Sequence, residues 1–504
     1  MTNDKLPAKL HILSLTIARI VLILAVVCSL SADAASAQSI RWESPTRLYA
    51  TENSIDDLLL LTDATGRVHL LWSEFAEFDD ESSDGETSGS PAIVYMVLEN
   101  GEWSKPADVV AQMSGRMNDL SGLVDPYGRL HLIYSDNGDV HYVRSQRPTP
   151  TGAPFWRSTQ TFAGIEKSSG HLSLDAGGQL NLLFGGLDIG LQRHRSDDLG
   201  ESWSAGDSVT PLPPNGQLSG PPFILNGAAD TGYLAWDQRD PMGGTTASYF
   251  GREDENGTWG EFSLVASPPP TTTLLSMAQL PDASMHLLFS GAEGTGGRYH
   301  IWSPDRGLGW SDRIQIVGAD AAPRAGTGGL AADSAGLLHA AFGAQENTVV
   351  GYSFWNGVSW SAWANIAAGV TDRTLDHVNL ATASGNQLIA SWTANDNEIW
   401  IASAQSNLPP VVGEYQPLPL EGIDGDEGNV GSSDGLPAAA PLAAAAPAGQ
   451  EQPMPTSRVL PAGINDRAEG LTMSSSLLLA TALLPISLIL LVLLISRLGL
   501  RRSS

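Results

Sequence analysis

Apolar runs separated by tight polar turns recur through the middle of the chain. Each copy reads as a strand end, a turn built on Asp, Gly or another small residue, and a second apolar strand. The copies are DATGRVHLLW (63–72), DPYGRLHLIY (125–134), DAGGQLNLLF (175–184), GAADTGYLAW (227–236), LPDASMHLLF (280–289), DSAGLLHAAF (333–342) and ASGNQLIASW (383–392). One aligned position holds His69, His131, Asn181, Tyr233, His286, His339 and Ile389, at separations of 62, 50, 52, 53, 53 and 50 residues. The period is therefore near 50, and we count seven repeats.

A third apolar strand, a turn and a tryptophan complete the repeat. The third strand of the first copy is AIVYMVL (92–98), and the tryptophans are Trp103, Trp156, Trp203, Trp259, Trp310 and Trp360. Four strands repeated at this period predict the blades of a β-propeller. The seventh copy has its third strand, EIWIASA (398–404), without a following tryptophan, but IRWESPTRL (40–48) resembles the fourth-strand segments. We therefore expect an all-β, seven-bladed propeller over 38–405, in which the N-terminal strand closes the last blade and leaves no free edge.

Two turns between third and fourth strands share the pattern Ser-x-Asp-x-Gly-x-x-Trp. They read SDDLGESW (196–203) and SPDRGLGW (303–310), and looser forms such as ENGEW occupy the same place in other blades. The pattern resembles the Asp-box turn of the sialidase-like, or BNR-repeat, superfamily. That resemblance covers the whole propeller and implies structural roles for Ser196, Asp198, Gly200, Trp203, Ser303, Asp305, Gly307 and Trp310. The serine and aspartate would hold the turn, glycine would take its positive φ, and tryptophan would pack between sheets. These turns lie away from the active site in that superfamily, so they argue for the fold and not for an activity.

The same resemblance suggests an arginine clamp. Sialidases hold a substrate carboxylate with three arginines, and the inter-blade loops here offer Arg116, Arg324 and Arg373. The Phe/Tyr-Arg-Ile-Pro stretch of that family is absent, blade 1 offers Asp56 and Asp57 instead of an arginine, and sialidases have six blades. No motif places catalytic residues. The alternative is that these arginines pair with local acids such as Asp119 and Asp376, which we also take as candidate ligand-binding residues.

An unusually long acidic loop, WSEFAEFDDESSDGETSGSP (72–91), joins the second and third strands of the first repeat. Asp79, Asp80 and Asp84 in this loop offer oxygen ligands for calcium. The alternative is a solvated acidic flap, because no EF-hand-like spacing is present. No other cofactor is indicated.

The recurring histidines and tryptophans permit two interpretations. Histidines spaced about 50 residues apart, one per blade, would lie around a ring, so we expect packing with a hydrogen bond to neighbouring backbone and not a metal site. The tryptophans are expected to form the core between blades. WNGVSWSAW (355–363) is the exception, since its aromatic density suggests an exposed sugar-binding surface like that of propeller lectins.

Both ends of the chain differ in composition from the middle. Lys5, Lys9 and Arg19 precede an apolar run over 20–30, and ASA (35–37) predicts cleavage of a signal peptide, 1–37. The one cysteine, Cys28, lies in that run, so the mature chain would have no thiol for a disulfide or a nucleophile. A stalk rich in Pro, Ala, Gly and acid is predicted over 406–472.

An uncharged apolar stretch follows the stalk, and arginines follow the stretch. It predicts a membrane-spanning helix over 473–496 with a basic cytoplasmic tail, 497–504, which places the propeller outside the cell. The net charge of -28 argues against nucleic acid as a partner. The expected function is a membrane-tethered surface propeller that binds a glycan or an extracellular protein without catalysis. A diverged sialidase-type glycoside hydrolase and an envelope protein-interaction platform are the alternatives.

Overall fold

The computed structural model describes residues 40–417, except 79–87, 110–116, 137, 163–168, 187–189, 211–216, 219, 228–230, 240–245, 255–256, 261, 267–271, 292–294, 369 and 371–372. The strands form seven antiparallel sheets, and the first strands of successive sheets contact one another around a closed ring. No α-helix occurs in these ranges, where a single short 3-10 turn lies at Ala153–Phe155. The prediction of an all-β, seven-bladed propeller is confirmed.

In blades 1 to 6 the strands run outward from the channel in chain order. Blade 1 contains Ser54–Thr62, Val68–Phe78, Ser88–Glu99, Glu102–Trp103 and Ala107–Val109. Blade 2 contains Met117–Val124, Leu130–Asp136, Asp139–Arg144 and Gln160–Phe162. Blade 3 contains Ser169–Leu174, Leu180–Gly186, Gly190–Ser196 and Asp207–Thr210. Blade 4 contains Gln217–Leu218, Phe223–Asn226, Gly232–Arg239, Thr246–Arg252 and Ser263–Ala266.

The last three blades follow the same plan. Blade 5 contains Thr272–Gln279, Met285–Gly291, Arg298–Ser303 and Ile314–Val317. Blade 6 contains Gly328–Ala332, Leu338–Ala344, Val349–Trp355 and Ala364–Asn365. Blade 7 contains Leu375–Ala383, Gln387–Ala394 and Glu398–Gln405, then Arg41–Trp42 and Thr46–Ala50 from the start of the propeller.

The N-terminal strands close blade 7, as the sequence predicts. Arg41 lies opposite Gln405 and Thr46 lies opposite Ile401, in antiparallel register. The two ends of the propeller therefore share one sheet, and the outer edge of Glu398–Gln405 is paired instead of exposed.

Second strands are buried on both faces, which explains why they are almost continuously apolar. Leu130–Asp136, Met285–Gly291 and Leu338–Ala344 are buried at every position. Each lies in the middle of its sheet and between two neighbouring blades, so alternation between apolar and polar positions disappears.

Tryptophans of the fourth-strand region pack against the third strand of the preceding blade. The pairs are Trp156 with Tyr95, Trp203 with Tyr142, Trp310 with Phe250, Trp360 with His300 and Trp42 with Tyr352, at ring-centroid distances of 4.9–6.4 Å. All five pairs are edge-to-face, the arrangement that aromatic quadrupoles favour. Trp42 supplies in blade 7 the tryptophan that the seventh repeat lacks.

Residues 406–417 extend across the turns of three blades, and we name this segment the strap. Its backbone N–H groups donate to the carbonyls of equivalent turn residues: Val411 to Ser384 at 2.7 Å, Gly413 to Ala64 at 2.7 Å and Gln416 to Pro126 at 2.9 Å. The strap therefore joins blade 7 to blades 1 and 2. The first part of the predicted stalk lies against the propeller.

The predicted signal peptide, most of the stalk, the membrane helix and the basic tail lie outside the described residues. Across the part of the chain that the structure describes, no helix has the length and apolar character needed to span a bilayer.

Candidate functional site

The two ends of the propeller differ in what they carry. One end, which we name the turn face, carries the turns between first and second strands and the strap. The opposite end, the loop face, carries the connections between blades and those from second to third strands. A cavity of about 1590 Å³ follows the inner strands to the turn face, with walls that include Leu60, Leu172 and Leu330. Val411 and Gln416 of the strap also line it.

The two described members of the predicted arginine clamp, Arg324 and Arg373, lie on the loop face, and each has an acidic partner. Arg324 Nε donates to Glu346 at 2.8 Å, and Arg373 pairs with Glu398. Arg116 lies outside the described residues. A clamp that unites the three arginines stays a prediction.

Among the described residues, Arg324 and Arg373 pair with Glu346 and Glu398 and not with Asp119 or Asp376, and a pairing of Asp119 with Arg116, which lies outside them, stays a prediction. Asp119 accepts a hydrogen bond from the Ser169 hydroxyl at 2.6 Å. Asp376 accepts one from the Thr327 hydroxyl at 3.0 Å. The physical reason is that both lie on inner strands beside a neighbouring blade, where short hydroxyl side chains reach them.

Asp57 and His377 form a pair at the junction of blades 1 and 7. His377 Nδ1 lies 3.3 Å from the Asp57 carboxylate. The pKa of His377 is raised above its usual value. Burial by itself would lower it, but the hydrogen bond and charge of Asp57, with the charges of Asp376 and Asp396, have the larger effect. Burial raises the pKa of Asp119 to about 6, with a contribution from the charge of Asp57. This rim therefore carries a histidine whose pKa neighbouring carboxylates raise, and an acid, Asp119, whose pKa is about 6.

Backbone bulges in the inner strands create a need for hydrogen-bond acceptors here. The inner strands shift register between Ile55 and Asp57, Asn118 and Ser121, Leu274 and Ser276, and Asp376 and Asn379. A bulge leaves an N–H without a partner in its own ladder. A side chain of the preceding blade accepts that N–H in three cases: Asp57 from Leu120 at 2.7 Å, Asp237 from Leu274 at 2.5 Å and Thr327 from Val378 at 2.9 Å.

Asp237 is the most secluded of these acceptors. Its side chain lies between blades 4 and 5, where it also accepts the Ser248 hydroxyl. Burial raises its pKa to about 7. Such shifts are frequent at catalytic sites, but a carboxyl used to cap a bulge acquires the same shift by burial alone.

The calcium prediction is untested. Asp79, Asp80 and Asp84 lie outside the described residues. Within the described ranges, no group of three or more His, Cys, Asp or Glu side chains is arranged to hold a metal ion.

The two Ser-x-Asp-x-Gly-x-x-Trp turns share one hydrogen-bond pattern. Ser196 donates to Asp198 at 2.7 Å and accepts the N–H of Gly200 at 2.7 Å. Ser303 donates to Asp305 at 2.7 Å and accepts the N–H of Gly307 at 2.7 Å. Gly200 and Gly307 have φ of 85° and 87°, which an L side chain rarely adopts. The arrangement closes the turn and directs Trp203 and Trp310 into the blade interface.

The recurring histidines are buried in the blades, but their partners are side chains instead of the expected backbone. Nδ1 of His69, His131 and His339 lies 2.9, 2.7 and 2.7 Å from a tyrosine hydroxyl of the third strand. Nε2 of the same three faces an aspartate of the preceding turn, at 3.1, 3.1 and 3.4 Å. The strand ladder already uses the neighbouring backbone groups, so the ring nitrogens bind side chains. His286 differs, since its Nδ1 meets Nε2 of His300 at 2.9 Å.

The expected exposed aromatic surface in 355–363 is wrong. Trp355 is buried, and Trp360 and Trp363 are partly buried against hydrophobic clusters of blades 5 and 6. The spacing suits packing, because the turn places successive tryptophans on the interior side of the blade.

Comparison with known proteins adds structural neighbours. No protein-family model and no curated protein matches the chain. A lectin from Burkholderia pseudomallei superposes with a TM-score of 0.52 at 10% identity, over 75% of this chain and 99% of the lectin. An ulvan lyase superposes with a TM-score of 0.47 at 13% identity, over 72% and 95%, and a mutant NanB sialidase from Streptococcus pneumoniae with 0.42 at 14% identity, over 72% and 71%. At these identities the likeness concerns the fold alone. The chain is thus a seven-bladed β-propeller whose structural neighbours include lectins, sialidases, arabinanases and lyases.

Proposed function

We propose that this protein is a cell-surface propeller, tethered by a C-terminal membrane helix, that binds a glycan at its loop face without cleaving it. The observation that carries the proposal is the use of the rim carboxylates. Asp57 and Asp237 each accept a bulge N–H of the next blade, and Asp119 accepts a hydroxyl. Carboxylates that accept backbone N–H groups in this way stabilise the ring, so Asp57 and Asp237 are not free to act as nucleophile and acid.

Two features support the glycan ligand and the family assignment. The shared hydrogen-bond pattern of the turns at 196–203 and 303–310 agrees with Asp-box turns of a sialidase-like propeller. The Burkholderia lectin has the same fold.

A diverged glycoside hydrolase is the second candidate, favoured by Asp119. A carboxyl with a pKa of about 6 is suited to protonate a leaving oxygen near neutral pH. Turnover of a sialoside or arabinan by the full chain, abolished in Asp119→Asn, would replace the first proposal.

The experiment for the first proposal is a glycan array probed with the full chain in detergent, once with calcium and once with chelator. Selective binding supports the lectin-like function, and its loss with chelator assigns the acidic loop 72–91 as a calcium site. A blank array on both occasions rejects glycan binding and favours a protein partner.

A further inference from the structure

One carboxylate holds two arginines at the loop-face end of blade 7. Glu398, the first residue of Glu398–Gln405, accepts Arg47 Nη1 at 3.1 Å and also accepts Arg373 Nη1. The indole N–H of Trp400 donates to the same carboxylate at 2.9 Å. Arg47 comes from the N-terminal strand Thr46–Ala50, and Arg373 precedes the inner strand. Three separate segments therefore meet at Glu398.

The charges of this cluster do not cancel. Two guanidinium groups face one carboxylate, which leaves one positive charge in excess. Burial raises the pKa of Glu398, but the bonds from Trp400, Arg373 and Arg47 outweigh burial and leave that pKa lowered, so the carboxylate stays ionised. Arg324 differs, since it meets Glu346 one to one.

Both guanidinium groups keep unused donors at the surface. A guanidinium has five N–H donors in a planar fork. Among the described residues, each of these arginines donates to Glu398 through Nη1 alone. The side chain of Arg47 is 53% exposed and that of Arg373 is 29% exposed, whereas Glu398 is 10% exposed. The Glu398 carboxylate therefore lies beneath the guanidinium groups of Arg47 and Arg373, which are at the surface and open to a ligand.

An aromatic surface lies beside the forks. The Arg373 guanidinium carbon is 5.8 Å from the centroid of Trp400. Trp400 is partly buried against the hydrophobic cluster that includes Ile366 and Val370, at the junction of blades 6 and 7. Its indole N–H is bound to Glu398, which fixes the ring plane.

We propose that Arg47, Arg373 and Trp400 form a binding site for a carboxylated sugar unit at the junction of blades 6 and 7. A planar carboxylate matches the two-donor edge of a guanidinium, and one excess positive charge matches a monoanion. The apolar face of the sugar ring packs on Trp400. This inference rests on the proposed function and deepens it, because it names the ligand class and the residues. It also replaces the three-arginine clamp with a pair that includes Arg47, which sequence patterns do not single out.

The test uses the full chain and trigalacturonate as the probe, with a carboxyl-reduced, neutral form of the same oligosaccharide as the matched ligand. Wild type is expected to bind the acidic form at least tenfold more tightly, because two forks pair with the carboxylate. Arg47→Gln/Arg373→Gln is expected to lose that preference. Arg157→Gln, at an arginine of blade 2 whose side chain is 51% exposed beside Glu201, is the control and keeps it. Arg47→Lys/Arg373→Lys retains charge without the fork and is expected to fall between the two.

Two results overturn the site. Equal binding of the acidic and neutral oligosaccharides by wild type removes the carboxylate from the recognition. An unchanged preference in the glutamine double variant places recognition elsewhere on the propeller. If the glycan array is positive while trigalacturonate fails to bind, this inference fails and the proposed function stands. A blank array rejects the proposed function itself.

Discussion

The hydroxyl of Tyr415 donates a hydrogen bond to the carboxylate of Asp63, 352 residues earlier in the chain. Arg67 Nη1 donates to the same hydroxyl at 2.8 Å. Asp63 also holds its own turn and faces His69, so one carboxylate links the strap to the interior of blade 1. The strap is thus integrated with the propeller.

Tyr415→Phe removes the hydroxyl while it preserves the ring. We expect the free energy of unfolding to fall by about 1–2 kcal/mol, because one lost bond is to a carboxylate and Arg67 loses an acceptor. Thermal and urea unfolding of the full chain measure the change. Val412→Ser, at a strap side chain that is 61% exposed, is the control and is expected to be neutral. Equal stabilities of Tyr415→Phe and wild type contradict a structural role for the strap.

Asp237→Asn tests whether Asp237 stabilises the fold through its hydrogen bonds and destabilises it through its charge. The folded pKa of about 7 lies above the unfolded value, so the stability present at low pH is lost as pH rises from about 4 to 7. The amide oxygen of the asparagine can accept the hydrogen bond from the Leu274 N–H, and the amide carries no charge at any pH. We therefore expect Asp237→Asn to raise the unfolding temperature at pH 8 and to leave it unchanged near pH 4.

The control for that position is Asp237→Ala, which leaves the N–H of Leu274 buried without an acceptor. It is expected to cost about 1–3 kcal/mol near pH 4, where Asp237 of the folded wild type is protonated, and less as pH rises, because the variant has no carboxyl to ionise. A lower unfolding temperature for Asp237→Asn than for wild type at pH 8 would mean that the ionised carboxylate stabilises the fold, which contradicts a carboxyl tolerated for its hydrogen bonds.

His300→Tyr would give blade 5 the histidine–tyrosine hydrogen bond that blades 1, 2 and 6 have. His286 and His300 are buried together, and burial lowers the pKa of His286 to about 4 and that of His300 well below its usual value. The unfolded chain therefore binds more protons below about pH 6.5, and stability falls as pH decreases towards 4. The variant has one buried histidine fewer. It is expected to lose less stability between pH 7.5 and pH 5 than wild type, as thermal unfolding across that range measures.

Arg298→Met tests a buried cation without a described acidic partner. Arg298 is fully buried, its Nε and Nη2 have no hydrogen-bond partner among the described residues, and burial lowers its pKa to about 10. Replacement of such a group by an apolar side chain of similar length is often neutral or stabilising. We expect no loss of unfolding temperature. A large loss indicates either that the hydrogen bonds from Nη1 to the carbonyls of Gly297 and Arg324 stabilise the fold or that Arg298 contacts an anion or a segment of the chain outside the described residues.

The sequence predicted the architecture because blade repetition is visible in the local pattern. Turns built on Asp and Gly recur at one period, and the leftover N-terminal segment carries Trp42 at the position that the seventh repeat needs. These features depend on short stretches of chain and on their spacing, which a single sequence displays directly.

Contacts between blades were harder to predict. The pattern of apolar residues does not show where a bulge leaves the N–H of Leu120 or Leu274 without a partner in its sheet. Asp57 and Asp237 could therefore not be recognised as the acceptors. Asp119 was predicted to pair with an arginine because the sequence shows that the residue is charged but not which neighbour its side chain faces. Arg47 and Glu398 are 351 positions apart, and closure of blade 7 by the N-terminal strand brings them together. A search for charged residues on the two strands predicted to pair could have found them.

Recovery of the bound glycan tests the central claim most directly. The full chain is incubated at pH 5, 6 and 7 with the glycan that it binds most tightly on the array, and the sugar is then released and analysed by mass spectrometry. Our account predicts an intact glycan at every pH, in amounts that match the occupied sites. A cleaved glycan, with product increasing over time and absent in Asp119→Asn, would contradict binding without catalysis.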